Sequence, residues 1–401
     1  MDGRDQTSVT TKSQFHQRSR DGITWCLYLN LSVFGYVLYG FGPSISLLAR
    51  DLSLSDTAVS LHAVALAVGA VVAGLTAAAL VDRLGRSVTQ TSSLVALGCG
   101  VVGYCAGDTF AMTLTSAVLI GYAGNLIVNT TSAGLSVHHG RAAAARISEA
   151  NGISAGVGMV APVALGAAAT LGWGWRAGLL LAMPMLVTAI VVSRRLRLPA
   201  SPRALANSGP YRLGGPFWIA WLIFVACALV EMCMVFWASE QLRRHAGMEQ
   251  GVATMAISLM LGGIVVGRVV GAVLVRHRKL ENVLVASIAV HLAGFALFWL
   301  STTPAVAVAG LVICGLGMAL QIPLAMTRAM NLSEGRSDVA MARLGVGTGV
   351  ATAVGPFLLS VLGDVVGIHL AFLLVPILLV WAIMLTAIRR SRSRLDMLAG
   401  H

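Results

Sequence analysis

Twelve stretches of this chain are apolar for roughly twenty residues each, and nothing else in it restricts the fold as much. They lie near 24–48, 58–81, 88–107, 111–136, 147–171 and 175–193, then near 216–238, 252–275, 283–300, 305–327, 345–366 and 368–388. A backbone crossing about 30 Å of hydrocarbon must satisfy its own amides, so each run reads as a spanning helix. A barrel would show segments of about ten residues with alternating polarity, and these runs are continuous. Charged residues make up 11% of the chain, against about 25% in soluble domains, which supports the same reading. The 44 glycines suit helices whose backbones approach closely in lipid. Six cysteines all fall inside apolar runs, which argues against a disulfide framework or a zinc site.

The net charge of +12 raises the idea of nucleic acid. Its distribution argues otherwise, because the charges fall in short segments between the runs. With the N-terminus inside, 23 of the 28 Lys and Arg lie in cytoplasmic segments, and the outer loops hold Arg50, Arg176, Arg243 and Arg244. This bias orients the chain with both termini cytoplasmic. The polar opening MDGRDQTSVTTKSQFHQRSRDG lacks the apolar core of a signal peptide and reads as a tail.

The two sets of six runs echo each other. Trp25 and Trp218 are 193 residues apart, as are Arg83 and Arg276; Pro162 and Pro356 are 194 apart. The pairs Arg194-Arg195 and Arg389-Arg390 are 195 apart. The expected fold is therefore an all-α membrane protein of twelve helices in two parallel six-helix repeats, a plan used by secondary transporters. Its parts are a cytoplasmic tail (1–22), a first bundle (23–193), a cytoplasmic linker (194–215), a second bundle (216–390) and a last tail (391–401).

The second run closes in LVDRLGRSV, Leu80–Val88. Glycine permits a tight turn there, the arginines hold the loop inside, and Asp82 can pair with them or cap a helix. Asp82, Arg83, Gly85 and Arg86 resemble the loop signature of the major facilitator superfamily. Ala78 replaces its leading glycine, and Ser87 a frequent basic residue. Trp173-Gly174-Trp175-Arg176 is similar to the Gly-Trp-Arg at the start of that family's sixth helix. The resemblance runs from about Trp25 to Arg390. It implies alternating access, with Asp82, Arg83, Gly85 and Arg86 latching the cytoplasmic side when the transporter faces outward. The equivalent loop LVRHRKLEN (Leu274–Asn282) carries Val275 at the acid's place, so a weaker latch is expected there. Glycines 152, 156, 158 and 166 around Pro162 partly resemble the antiporter signature of the family's drug exporters. The plainer reading is close helix contact and a proline kink.

Glu231 is the one acid well inside an expected span, and Arg268 the one base. A charge at that depth costs roughly 2.5–3.5 kcal/mol or more unless it faces water or a partner. A lone buried carboxyl can take up and release protons; equally, the two residues can form a structural pair. Glu231 with Trp237, followed by Gly267-Arg268-x-x-Gly271, is similar to the fucose-permease-like branch, where an acid on helix seven belongs to a sugar or proton site. The family resemblance implies a cavity lined by helices one, four, seven and ten. It makes Tyr36, Tyr39, Asn125, Asn129, Trp237 and Gln321 candidates for it, although each amide or hydroxyl can also serve packing. His62 and His291 can titrate or simply be satisfied structurally.

The expectation is a monomeric, multi-pass transporter of the bacterial cytoplasmic (inner) membrane, surrounded by lipid. It moves a small polar organic solute, uses the proton gradient, and needs no cofactor, metal or nucleic acid. A drug or metabolite efflux antiporter is the alternative within the class. A membrane sensor should carry a sizeable soluble domain, and an intramembrane enzyme should converge a nucleophile and base at one depth; neither pattern is present. No HExxH, P-loop or GxSxG motif points to an enzyme.

Overall fold

A computed structural model describes residues 21–140, 143–196, 213–333 and 337–399. Most of the expected first tail and linker, and the side chains of Val275 and Arg276, lie outside these residues. All the regular structure described is helical. The first half comprises α1 (Gly22–Asp51), α2 (Asp56–Leu84), α3 (Arg86–Ala106), α4 (Phe110–His139), α5 (Ala143–Gly158), α6 (Val160–Thr170), α7 (Trp175–Leu180) and α8 (Ala182–Arg195). The second comprises α9 (Gly215–His245), α10 (Gln250–His277), α11 (Leu280–Leu300), α12 (Pro304–Met318), α13 (Gln321–Asn331), α14 (Ser337–Val366), α15 (Ile368–Ala371) and α16 (Leu374–Ala399).

These sixteen segments make twelve spans long and apolar enough to cross a membrane. Four spans are interrupted, each just ahead of a proline: at Met159 before Pro162, Leu181 before Pro184, Leu320 before Pro323, and Leu373 before Pro376. Proline lacks the amide and crowds the carbonyl one turn back, so the preceding turn loosens. Pro43 and Pro356 lie inside α1 and α14 without breaking them.

The duplication reappears as contacts. Gly121 of α4 lies so close to α2 that a Cβ there would stand 1.9 Å from the Leu66 carbonyl oxygen. At the position 194 residues later, Gly315 would meet the Met260 carbonyl at 2.1 Å. Trp25 meets Tyr28 edge-on at 5.6 Å, and Trp218 meets Trp221 likewise at 5.6 Å. Gly174 and Gly367 start α7 and α15 at φ of 78° and 85°, a left-handed turn that glycine makes without strain.

The halves hold together at the end opposite the termini. There Gly166 of α6 is pressed against Gly251 of α10, and Phe41 of α1 meets Phe236 of α9 at 6.4 Å. At mid-depth the approach relaxes to ordinary contact: a Cβ on Gly262 would stand 3.7 Å from Met159, and one on Gly349 3.9 Å from Val71. Nearer the termini, a Cβ on Gly152 or Gly156 of α5, or on Gly345 of α14, would meet nothing within 4 Å. At these glycines the packing therefore loosens from the far end toward the termini.

Several helices outrun the apolar stretches that announced them, α9, α13, α14 and α16 among them. Helix α9 continues to His245, so Glu240, Arg243 and Arg244 occupy its last turns rather than a loop. Helix α13 continues to Asn331 and keeps Arg328 buried, with its guanidinium donating to Thr386 Oγ1 at 3.1 Å. Glu240 and Arg328 thus add an acid and a base at the ends of spans, beside Glu231 and Arg268 further in.

Candidate functional site

Helix α9 is buried for most of its length, packed on α1 of the other half and on α10, α13, α14 and α16. Glu231 sits at its middle, 7% exposed. Its carboxyl forms no hydrogen bond or ion pair among the described residues, yet its oxygens are not among the sealed, unpartnered polar atoms. They therefore touch the space between the helices. Arg268 of α10 is half-buried and likewise has no direct partner among the described residues. The two lie beyond the 4 Å of an ion pair but close enough for their charges to act on each other. Tyr39 of α1, from the opposite half, feels both charges. Its ring lies over Gly158, where a Cβ would stand 2.3 Å from Cδ2. An acid, a base and a phenol from α9, α10 and α1 are thus gathered at mid-depth.

The other expected cavity residues are engaged differently. Asn129 Nδ2 donates to Asn125 Oδ1 at 2.9 Å, and both stay half-buried on one face of α4. The Tyr36 hydroxyl donates to the Gly178 carbonyl at 2.6 Å, and the Trp237 indole to that of Pro356 at 3.1 Å. Gln321 is buried and bonded to the His291 ring at 3.2 Å. Each of these last three bonds stays within one half. His62 is bonded on both ring nitrogens, to the Val59 carbonyl and Thr113 Oγ1, each at 2.8 Å.

At the termini end, Gly85 turns the chain from α2 into α3 at φ 81°. Arg86 is buried, while Asp82 and Arg83 are exposed. Asp82 has no ion pair or hydrogen bond among the described residues.

A polar clasp at the opposite end escaped sequence reasoning. Arg244 Nη2 donates to Asp56 Oδ1 at 2.9 Å and also bonds Glu240 of its own helix. The Thr57 amide at the start of α2 donates to Asp364 Oδ2 at 2.9 Å; a carboxylate suits a helix N-terminus. Ser360 donates to Ser60 at 2.7 Å, and Gln250 to Ser46 at 3.2 Å. All of these except the Arg244–Glu240 pair cross the halves. Partners 188 to 307 residues apart leave no local spacing to read.

A family model described as Major Facilitator Superfamily matches residues 27–339. The chain belongs to the major facilitator superfamily. Membership makes it a multi-pass secondary transporter of small molecules, not an enzyme. No curated protein matches the sequence significantly. Among solved structures, a D-xylose-proton symporter superposes with a TM-score of 0.72 at 14% identity, covering 91% of this chain and 96% of that one. A bacterial homologue of the human lysosomal transporter Spinster, inward-facing and occupied, gives 0.71 at 14%, with coverage of 92% and 95%. The xylose transporter XylE from E. coli, partially occluded and inward open, gives 0.70 at 14%, with 90% and 97%. At such identities the likeness shows the fold.

Proposed function

We propose that this transporter moves a small polar organic solute by alternating access, with Glu231 as the proton-coupling group. The carrying observation is Glu231 itself: a mid-depth carboxyl, in touch with the space between the helices and without a direct partner among the described residues. A group that takes and gives a proton must be reachable and must not be locked in an ion pair. The similarity of its surroundings in sequence to the fucose-permease-like branch supports the same role, as does a proton symporter among the structural neighbours.

In this reading the termini are cytoplasmic, the protein sits in a cytoplasmic membrane, and the described state faces inward. The positive-inside bias supports the orientation. The clasp at the far end, the looser packing toward the termini and Asp82, which has no ion pair or hydrogen bond among the described residues, support the state. Closing the cleft brings the loop of Asp82, Arg83, Gly85 and Arg86 into use as the cytoplasmic latch, and the clasp then opens.

The test is Glu231→Gln in proteoliposomes. Proton-driven transport is expected to disappear while counterflow exchange persists. A variant whose transport keeps the wild-type pH dependence removes Glu231 from the coupling.

A further inference from the structure

Arg268 presents an unusual state for a base within a span. Its guanidinium carries five donors in a planar fork, and among the described residues none has a direct acceptor. Glu231 compensates its charge from beyond ion-pair distance, which leaves that fork unoccupied. The Tyr39 hydroxyl, from the other half, is also without a hydrogen bond among the described residues and feels the same two charges. Such a fork fits a carboxylate in two parallel hydrogen bonds.

Charge balance narrows the cargo further. The site stays in the low-dielectric middle of the bilayer and is closed off from water on each switch, both empty and loaded, and a net charge there is costly. Empty, an ionised Glu231 and Arg268 sum to zero. A proton on Glu231 with a neutral or zwitterionic cargo leaves one positive charge; a dianion leaves one negative charge. A proton on Glu231 with a monoanion on Arg268 restores zero.

We infer that the cargo is an organic monoanion, its carboxylate or comparable oxyanion held by Arg268 and the Tyr39 hydroxyl, carried together with one proton on Glu231. This rests on the proton-coupled reading of Glu231. The anion joins a base of the second half to a phenol of the first, so its binding favours closure of the cleft.

The experiment uses the full chain in liposomes with a pH gradient and a potassium–valinomycin clamp. The probes are radiolabelled short-chain monocarboxylates, their primary amides, dicarboxylates and α-amino acids. A monocarboxylate is expected to accumulate with the pH gradient and to ignore the clamped potential. Arg268→Gln should weaken it on the order of tenfold or more, and Arg268→Lys less, because Lys keeps the charge and loses the fork. Both variants are first shown to be monodisperse; if Arg268→Gln is not, Arg268→Lys carries the comparison. Preference for amides, amino acids or dicarboxylates, uptake driven by potential, or accumulation of no monocarboxylate overturns the inference. If an amide or amino acid is carried and Glu231→Gln removes its pH dependence, the cargo class is wrong and the coupling role stands. If pH dependence survives Glu231→Gln, the coupling role itself falls.

Discussion

Loosening the far-end clasp should shift the balance between the two states by an amount the structure allows one to work out. Asp56 is buried and accepts one charge-assisted bond from Arg244, whose side chain is 38% exposed and also held by Glu240. Such a half-screened pair contributes about 0.5–1 kcal/mol. Asp364 accepts the Thr57 amide at the start of α2, and a carboxylate at a helix N-terminus contributes about 0.3–1 kcal/mol. The double variant Asp56→Asn, Asp364→Asn therefore removes about 1–2 kcal/mol from the closed far end, a shift of roughly five- to thirtyfold in the open-to-closed ratio. The assay is alkylation of a single cysteine placed at Ser46, inside the clasp, in an otherwise cysteine-free chain. Its labelling rate should rise by that factor, while a cysteine at Gly152, in the cleft near the termini, should label more slowly. Unchanged rates at both positions would refute the assignment of these contacts as a clasp.

Further outcomes are expected elsewhere. Gly121→Ala should abolish folded protein, because its Cβ would stand 1.9 Å from a backbone oxygen; Gly74→Ala, with nothing within 4 Å, should leave the yield unchanged, both read by size-exclusion profile. Asp21 caps α1, and although burial alone would raise its pKa, hydrogen bonds from Thr24 and His138 hold it down at about 2. Its stabilisation is therefore fully present above the ordinary value of 3.8 and lost as pH falls through about 2. Asp21→Ala should cost about 1 kcal/mol at neutral pH, seen as a lowered Tm. Asp82→Asn should weaken the cytoplasmic latch and favour the state described here; cysteine accessibility at the two ends that does not move would count against it.

Much of the fold was legible because lipid leaves a chain few choices. An apolar run of twenty residues must become a helix, and the repeats at 193–195 residues surfaced as paired glycine contacts and paired aromatic edges. The helix ends were less legible. Glu240, Arg243, Arg244 and Arg328 look like loop residues by polarity, yet helix continuation and pairing carry them into the last turns of α9 and α13. The site was visible as far as single charges announce themselves. Glu231 and Arg268 stood out because a charge in a span needs a reason, whereas Tyr36, Trp237 and Gln321 are found bonded within their own halves. The clasp left no trace, because a hydroxyl or carboxylate beside a loop looks the same whether it faces solvent or the other bundle.

The most direct measurement follows both ends of the molecule as Glu231 is titrated. Spin labels are placed at Leu52 and Ala246 across the far end, and at Ser87 and Lys279 across the end near the termini, and their distances are recorded by pulsed resonance over a pH series. A proton-coupled alternating site predicts that one distance grows as the other shrinks, and that Glu231→Gln removes the pH response. Two distances that change together, or a pH response that persists in the variant, would contradict it.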